Sequence, residues 1–349
     1  MAIKKPLVLI LAVIIISLVA ACSNSKTANE EGKQTIEYRL SHPGTEGNEE
    51  DFYSRYSNKF ADLVHEHTDG ELEIKIYGQG ELYDNYGDMT KAVMGGSLEI
   101  AVTSVPGSYP EAGVPEASIV SAPRLFQTAE QFYQFIEDEN GYQIIKELLE
   151  KKGAKELDTF LIGQQYFYSP NEIKNVEDFK GMIIRAGGEG TRNFIEAVGA
   201  SVSTLSIPEV YGGLQQGVID GLATGLDAYA RNNFYEVAPN IMAENWLFTM
   251  YNMSLIIGNE SWGSLPDHLQ AAIEEKVIPE LHEWAISEIE KQWEKDREKV
   301  NEKANWIIFS NDVIKELDQI IVEEVYPHYH EISPEAEQIL KAAQEAAGL

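Results

Sequence analysis

Hydrophobic and polar positions alternate along "TIEYRLSHPG", which predicts a strand ending in a loop at His42-Pro43-Gly44. Phe52, Tyr56, Phe60, Leu63 and Val64 then recur at spacings of three and four, predicting a helix over about 49–67. Asp69-Gly70 makes a turn into "ELEIKIYG", which alternates again as a strand. "YDNYGDMTKAVMGGSLEIAVTSV" reads as helix, glycine stop and apolar strand, and "AEQFYQFIEDENGYQIIKELLEKKG" as helix with a break near Gly141. "AKELDTFLIGQQYFYS" is a strand region. Strands alternating with helices in this way predict a parallel or mixed sheet covered by helices.

A second such unit begins at "DFKGMIIRAGG". Met182, Ile183 and Ile184 form a short apolar run bounded by glycine, the pattern of a buried strand. A helix over 191–198 follows, then the strand "SVSTL", the helix "IPEVYGGLQQG" and the strand "VIDGLATG". The remainder is mostly helical. Leu281, Ala285, Ile289 and Trp293 share one row of a long charged helix, which Pro279 should kink or split. "ANWIIFS" predicts one more strand before two final helices.

The amino terminus stands apart from this pattern. Lys4 and Lys5 precede an apolar run from Leu7 to Ala21, shorter than the roughly 20 residues of a membrane-spanning helix. The run stops at Cys22, the single cysteine, in a context that resembles the lipobox of bacterial lipoproteins. Residues 1–21 are therefore expected to be a signal peptide, with Cys22 the lipidated first residue of the mature chain. Residues 22–34 read as a polar, flexible tether. The lipid would be the chain's only attachment to the membrane, and its location extracytoplasmic.

The chain has 349 residues and a formal net charge of −30. That length suits two lobes or one large α/β domain. The charge repels nucleic acid and anionic lipid headgroups, so neither is expected as a partner. It repels small anions at long range too, so an anion site needs locally concentrated positive groups. The acidity itself reads as adaptation to salt or high pH. Of the seven histidines, only His65/His67 and His328/His330 cluster. Residues two apart on a helix face different ways, so neither pair has metal-ligand spacing, and no metal site is expected. There is no G-x-S-x-G elbow, Walker loop or G-x-G-x-x-G fingerprint, and no cofactor is expected.

Arg185 is the exception. It stands at the carboxyl end of its strand, where open α/β sheets bind ligands, and Gly187, Gly188 and Gly190 allow a tight turn after it. A guanidinium matches a carboxylate with two parallel hydrogen bonds, and the following helix adds backbone N–H groups. The competing reading is an ordinary salt bridge to one of 57 acidic side chains.

The stretch "VEDFKGMIIRAGG...AVGASVSTLSIPEVYGGLQQGVIDG" resembles the dicarboxylate-binding type of solute-binding protein that serves tripartite ATP-independent periplasmic (TRAP) transporters. Asp178-Phe179-Lys180-Gly181, Arg185, Val198-Gly199-Ala200, Glu209 to Gly217 and Val218 to Gly221 stand where that family has its motifs. The likeness runs from about Ile36 to at least Leu265. It implies a two-lobed periplasmic-binding-protein-like α/β fold with hinge crossovers and a long helix spanning both lobes. Lobe I would comprise 35–162 and 250–290, and lobe II 163–249 and 291–349. The resemblance also implies a receptor without catalysis, which closes on an organic acid, holds its carboxylate through Arg185 and delivers it to the transporter's membrane subunits.

Three departures bear on the ligand. Many relatives carry a second basic residue on the preceding strand, where Gln165 stands here. Thr224 replaces an asparagine, and Ile207 an aromatic. A monocarboxylate with a modest polar or apolar tail is therefore favoured over a dicarboxylate held at both ends; a calcium-assisted 2-oxo acid is the other option. Tyr166, Tyr211, Tyr229, Trp246 and Phe248 are candidate walls of the pocket. Glu209 and Asp220 are assigned to structure, near a helix start and in a turn after a strand. Rival readings are a receptor for a sensor kinase or another transporter, and a lipoprotein hydrolase.

Overall fold

The computed structural model describes residues 27–28, 34–242, 246 and 248–349. The expected signal peptide and Cys22 lie outside the described residues, as does most of the tether.

Among the described residues, eleven strands join in one sheet. In the first lobe, β1 (Thr27–Ala28) pairs antiparallel with β2 (Gln34–Ser41), and β2 pairs parallel with β3 (Leu72–Tyr77) and β4 (Ile100–Ser104). The second lobe holds β6 (Ile183–Arg185) between β7 (Ser201–Ser203) and β8 (Gly221–Gly225), all parallel. Two antiparallel strands carry the chain between lobes. β5 (Ala154–Ser169) runs beside β10 (Thr249–Gly258) and continues as the partner of β8 and of the two-residue β9 (Asn240–Ile241). The last strand, β11 (Asn305–Trp306), pairs with β9.

The β5–β10 register shifts between Tyr251, opposite Gly163, and Asn252, opposite Leu161. Ile162 is therefore an extra residue in the ladder, a bulge that bends the crossover. A bulged carbonyl has no cross-strand donor, and here the Trp293 indole N–H donates to Ile162 O at 2.6 Å.

The first helix, α1 (Phe52–His67), starts where Asp51 accepts from the backbone N–H of Tyr53 and Ser54. Its Phe52, Tyr56 and Phe60 join Leu281, Ala285 and Ile289 of the long helix in the core of the first lobe. That helical stretch is continuous rather than split at Pro279. A π-helical turn at Ile273–Val277 precedes the α-helix Ile278–Asn301, and the wider turn makes room for the proline ring. The same solution recurs at Ile321–Val325 before Pro327. The far end of the long helix buries Val300 in the core of the second lobe, so the helix spans both. The final helix, Pro334–Ala347, packs on Pro115–Ser121 and on Ala129–Ile136, which belong to the chain's first half.

Two local expectations are corrected. Ile183 is exposed, because β6 lies one strand from the sheet's edge and has only one face covered at that point. Only Asn305 and Trp306 of "ANWIIFS" form a strand, and Ile308 is exposed.

Candidate functional site

β6 is three residues long and ends at Arg185, whose strand partner in β7 is Ser203. The guanidinium Nε donates to the Leu205 carbonyl at 2.9 Å, which fixes the side chain and leaves both terminal nitrogens for the cavity it lines. Gly187 lies against this group: a Cβ there would stand 3.3 Å from Nη1. Among the described residues no carboxylate pairs with Arg185, so the salt-bridge reading fails. Burial pulls its pKa below the usual arginine value, yet an arginine this basic stays charged. A half-buried cation without an anionic partner is costly, and part of that cost is recovered when an anion arrives.

The cavity measures about 150 Å³, below the roughly 300–1,000 Å³ of sites for drug-sized molecules. Gln165 sits on β5 opposite Gly225 and Thr249, and its Nε2 donates to Thr191 Oγ1 at 3.1 Å. Thr224 on β8 and Ile207 also line the cavity. Ile207 opens the helix Ile207–Gln215, whose start is fixed by a capping box between Ser206 and Glu209. Glu209 is thus occupied at the helix start. Asp220 sits just before β8 rather than after a strand, and its carboxylate accepts from Ile183 N–H at 2.9 Å.

The structure does not bring the predicted aromatic walls to this cavity. Tyr229 stacks on Tyr168 at 3.9 Å between ring centroids and donates to Ala238 O. Trp246 and Phe248 pack with Phe194 in the main core. Tyr166 packs edge-on against Trp306. Tyr211 donates to Glu236 on the exposed side of its helix.

Other residues take their place. Tyr53, Tyr86 and Tyr251 supply the aromatic surface, and Asp227 and Arg231 the remaining charges. No sequence signal separated these from ordinary residues. Tyr53 adjoins a core-facing helical stripe, and an acid four residues before an arginine reads as an ordinary ion pair on one helix face. A larger neighbouring cavity of about 260 Å³, bounded by the long helix, shares Tyr53, Asp227 and Arg231 but not Arg185. Its wall includes Asp296, whose carboxyl is pushed up to about 7 by burial and then by Asp227. Four acids and three basic groups line that space and offset one another, whereas the smaller cavity holds the unpaired cation.

Among the described residues no cluster of histidine, cysteine or carboxylates could hold a metal ion, and no helix is long and apolar enough to cross a membrane.

The sialic acid-binding periplasmic protein SiaP of Vibrio cholerae is 26% identical over 223 residues, covering 62% of this chain and 66% of that protein. A TRAP periplasmic solute-binding protein from Sulfitobacter sp. NAS-14.1, solved with β-D-galacturonate bound, superposes with a TM-score of 0.79 at 21% identity. The match covers 88% of this chain and 99% of that one. Another, from Rhodoferax ferrireducens with bound malonate, gives 0.78 at 22% identity, covering 89% and 98%. The model of the family described as bacterial extracellular solute-binding protein, family 7, matches residues 44–332. That match spans most of the chain, which thus belongs to family 7 of the bacterial extracellular solute-binding proteins.

Proposed function

We propose that this protein is the extracytoplasmic receptor of a TRAP-type transporter and captures a small organic acid by its carboxylate. The observation that carries this reading is Arg185, half-buried, held by Leu205 and, among the described residues, without a carboxylate partner in the cavity it lines. Both Nη groups donate to the ligand's carboxylate in a fork. Gln165 and Thr224 contribute neutral hydrogen bonds, and Ile207 an apolar contact. The lobe limits are proposed at 162/163, 249/250 and 290/291. Support also comes from the galacturonate and malonate in the two similar structures, since both carry carboxylates.

Truncating one partner of a buried charged pair costs roughly 2–5 kcal/mol. Arg185→Ala should weaken binding of the acid by roughly 30-fold to several thousandfold. Arg185→Lys should recover only part, because it lacks the fork. Calorimetry on both variants, beside their melting curves, tests this. Near-normal affinity in a folded Arg185→Ala protein sinks the assignment.

Attachment to the membrane through a lipid on Cys22 belongs to the same proposal. Cys22→Ser should move the protein out of the membrane fraction with its melting temperature unchanged. Retention of that variant in the membrane fraction refutes the anchor.

A further inference from the structure

In the cavity that Arg185 lines, the short helix Leu226–Arg231 presents two charges one turn apart. Arg231 Nη1 lies 3.5 Å from Asp227 Oδ2, a single loose contact rather than a fork. The other oxygen, Oδ1, accepts from the Tyr251 hydroxyl at 2.6 Å. Gly225 makes room for that contact: a Cβ there would fall 2.3 Å from both Asp227 Oδ1 and the Tyr251 oxygen. Arg231 also rests over the Tyr53 ring, 5.8 Å from its centroid, and 39% of its side-chain surface remains open. Arg231 is the open member of the pair, and Asp227 is largely buried at the cleft's lining, with 10% of its side chain exposed.

Charge arithmetic then constrains what binds. The cleft is lined by two cations, Arg185 and Arg231, and one anion, Asp227, so its net charge is +1. One ligand carboxylate neutralises it. A second carboxylate at the far end would meet Arg231 already half neutralised, and Asp227 beside it would repel the newcomer. An apolar end would leave the cleft side of both charged groups without a polar partner. A hydroxyl satisfies both, because it accepts from a guanidinium and donates to a carboxylate.

We propose that Asp227 and Arg231 are the specificity-determining pair of this receptor and read hydroxyl groups at the far end of a monocarboxylic acid. The inference rests on the organic-acid reading of the cleft. It assigns the ligand to the hydroxylated monocarboxylates and sets aside both plain fatty acids and dicarboxylates.

The test uses three acids of equal carbon number: hexanoate, gluconate and adipate. Their affinities are measured by calorimetry on the wild type, Asp227→Asn, Arg231→Gln and Arg185→Ala. Gluconate should bind the wild type on the order of tenfold or more tighter than either of the others. Asp227→Asn, which still accepts from Tyr251, and Arg231→Gln should each shrink the gluconate-to-hexanoate ratio about tenfold. Adipate or hexanoate equalling gluconate on the wild type overturns the pair's role, and needs no variant to fold. A ratio that survives both substitutions overturns it equally. Binding of none of the three, or binding that Arg185→Ala leaves intact, instead removes the organic-acid reading and this inference with it.

Discussion

Asp296 is buried and Arg185 half-buried, and the two ionisable groups store opposite costs. Arg185 stays charged and awaits a partner. Asp296, facing the larger cavity beside Asp227, is easier to leave protonated, and its carboxyl is pushed up to about 7. An unfolded aspartate titrates near 3.8, so between 3.8 and about 7 the native state holds a proton that the unfolded chain has lost. Stability contributed by this group is therefore complete below the unfolded value and is lost as pH rises through 7. Asp296→Asn keeps an acceptor for Gln292 and removes the charge. The variant's melting temperature should exceed the wild type's by more at pH 8 than at pH 5. An equal difference at both pH values would show that Asp296 titrates normally.

At the scale of elements, the crossover depends on how one of its two register shifts is satisfied. The Ile162 bulge leaves a carbonyl out of the β5–β10 ladder, and one indole on the long helix completes it. Trp293→Phe keeps an aromatic in place but removes the donor. It should destabilise the protein by about 1–3 kcal/mol, the usual penalty for an unsatisfied buried polar group. Denaturant unfolding measures it, and wild-type stability in the variant would show that water serves the carbonyl as well. The sequence made the row Leu281, Ala285, Ile289 and Trp293 visible, because helical spacing marks one face whatever that face meets. It did not reveal the bulge, which depends on how two strands distant in the chain are paired. The candidate site divides in the same way. Arg185 was legible from its place between an apolar run and glycines, and the family resemblance added Gln165, Thr224 and Ile207. Tyr229, Trp246 and Phe248 were not separable from pocket residues, because a ring facing the core and a ring facing a cavity leave the same apolar pattern. The second wall, with Tyr53, Tyr86 and Tyr251, comes from segments remote in sequence, which no local pattern connects.

In the whole molecule, the lobes are tied by β5, β10 and the long helix, and they also meet across the cleft. Arg231 of one rests on Tyr53 of the other, and a Cβ on Gly107 would lie 3.9 Å from the Gly187 carbonyl. The cleft's two arginines are thus recessed inside a chain whose formal net charge is −30. This arrangement separates holding from arriving. At low ionic strength the Debye length is about 30 Å at 0.01 M, so an approaching anion feels the acidic exterior; at 0.1 M it is about 10 Å, and much of that exterior drops out. The enclosed contacts at Arg185 are screened far less. Association of an anionic acid should therefore accelerate as salt is added, by up to about tenfold, while its dissociation rate changes little. Stopped-flow traces at the two salt concentrations report both rates. Faster association in the dilute buffer would mean that the arginines, rather than the acidic shell, set the field an incoming ligand meets. Should salt accelerate capture, a brine would be the medium in which this receptor loads fastest.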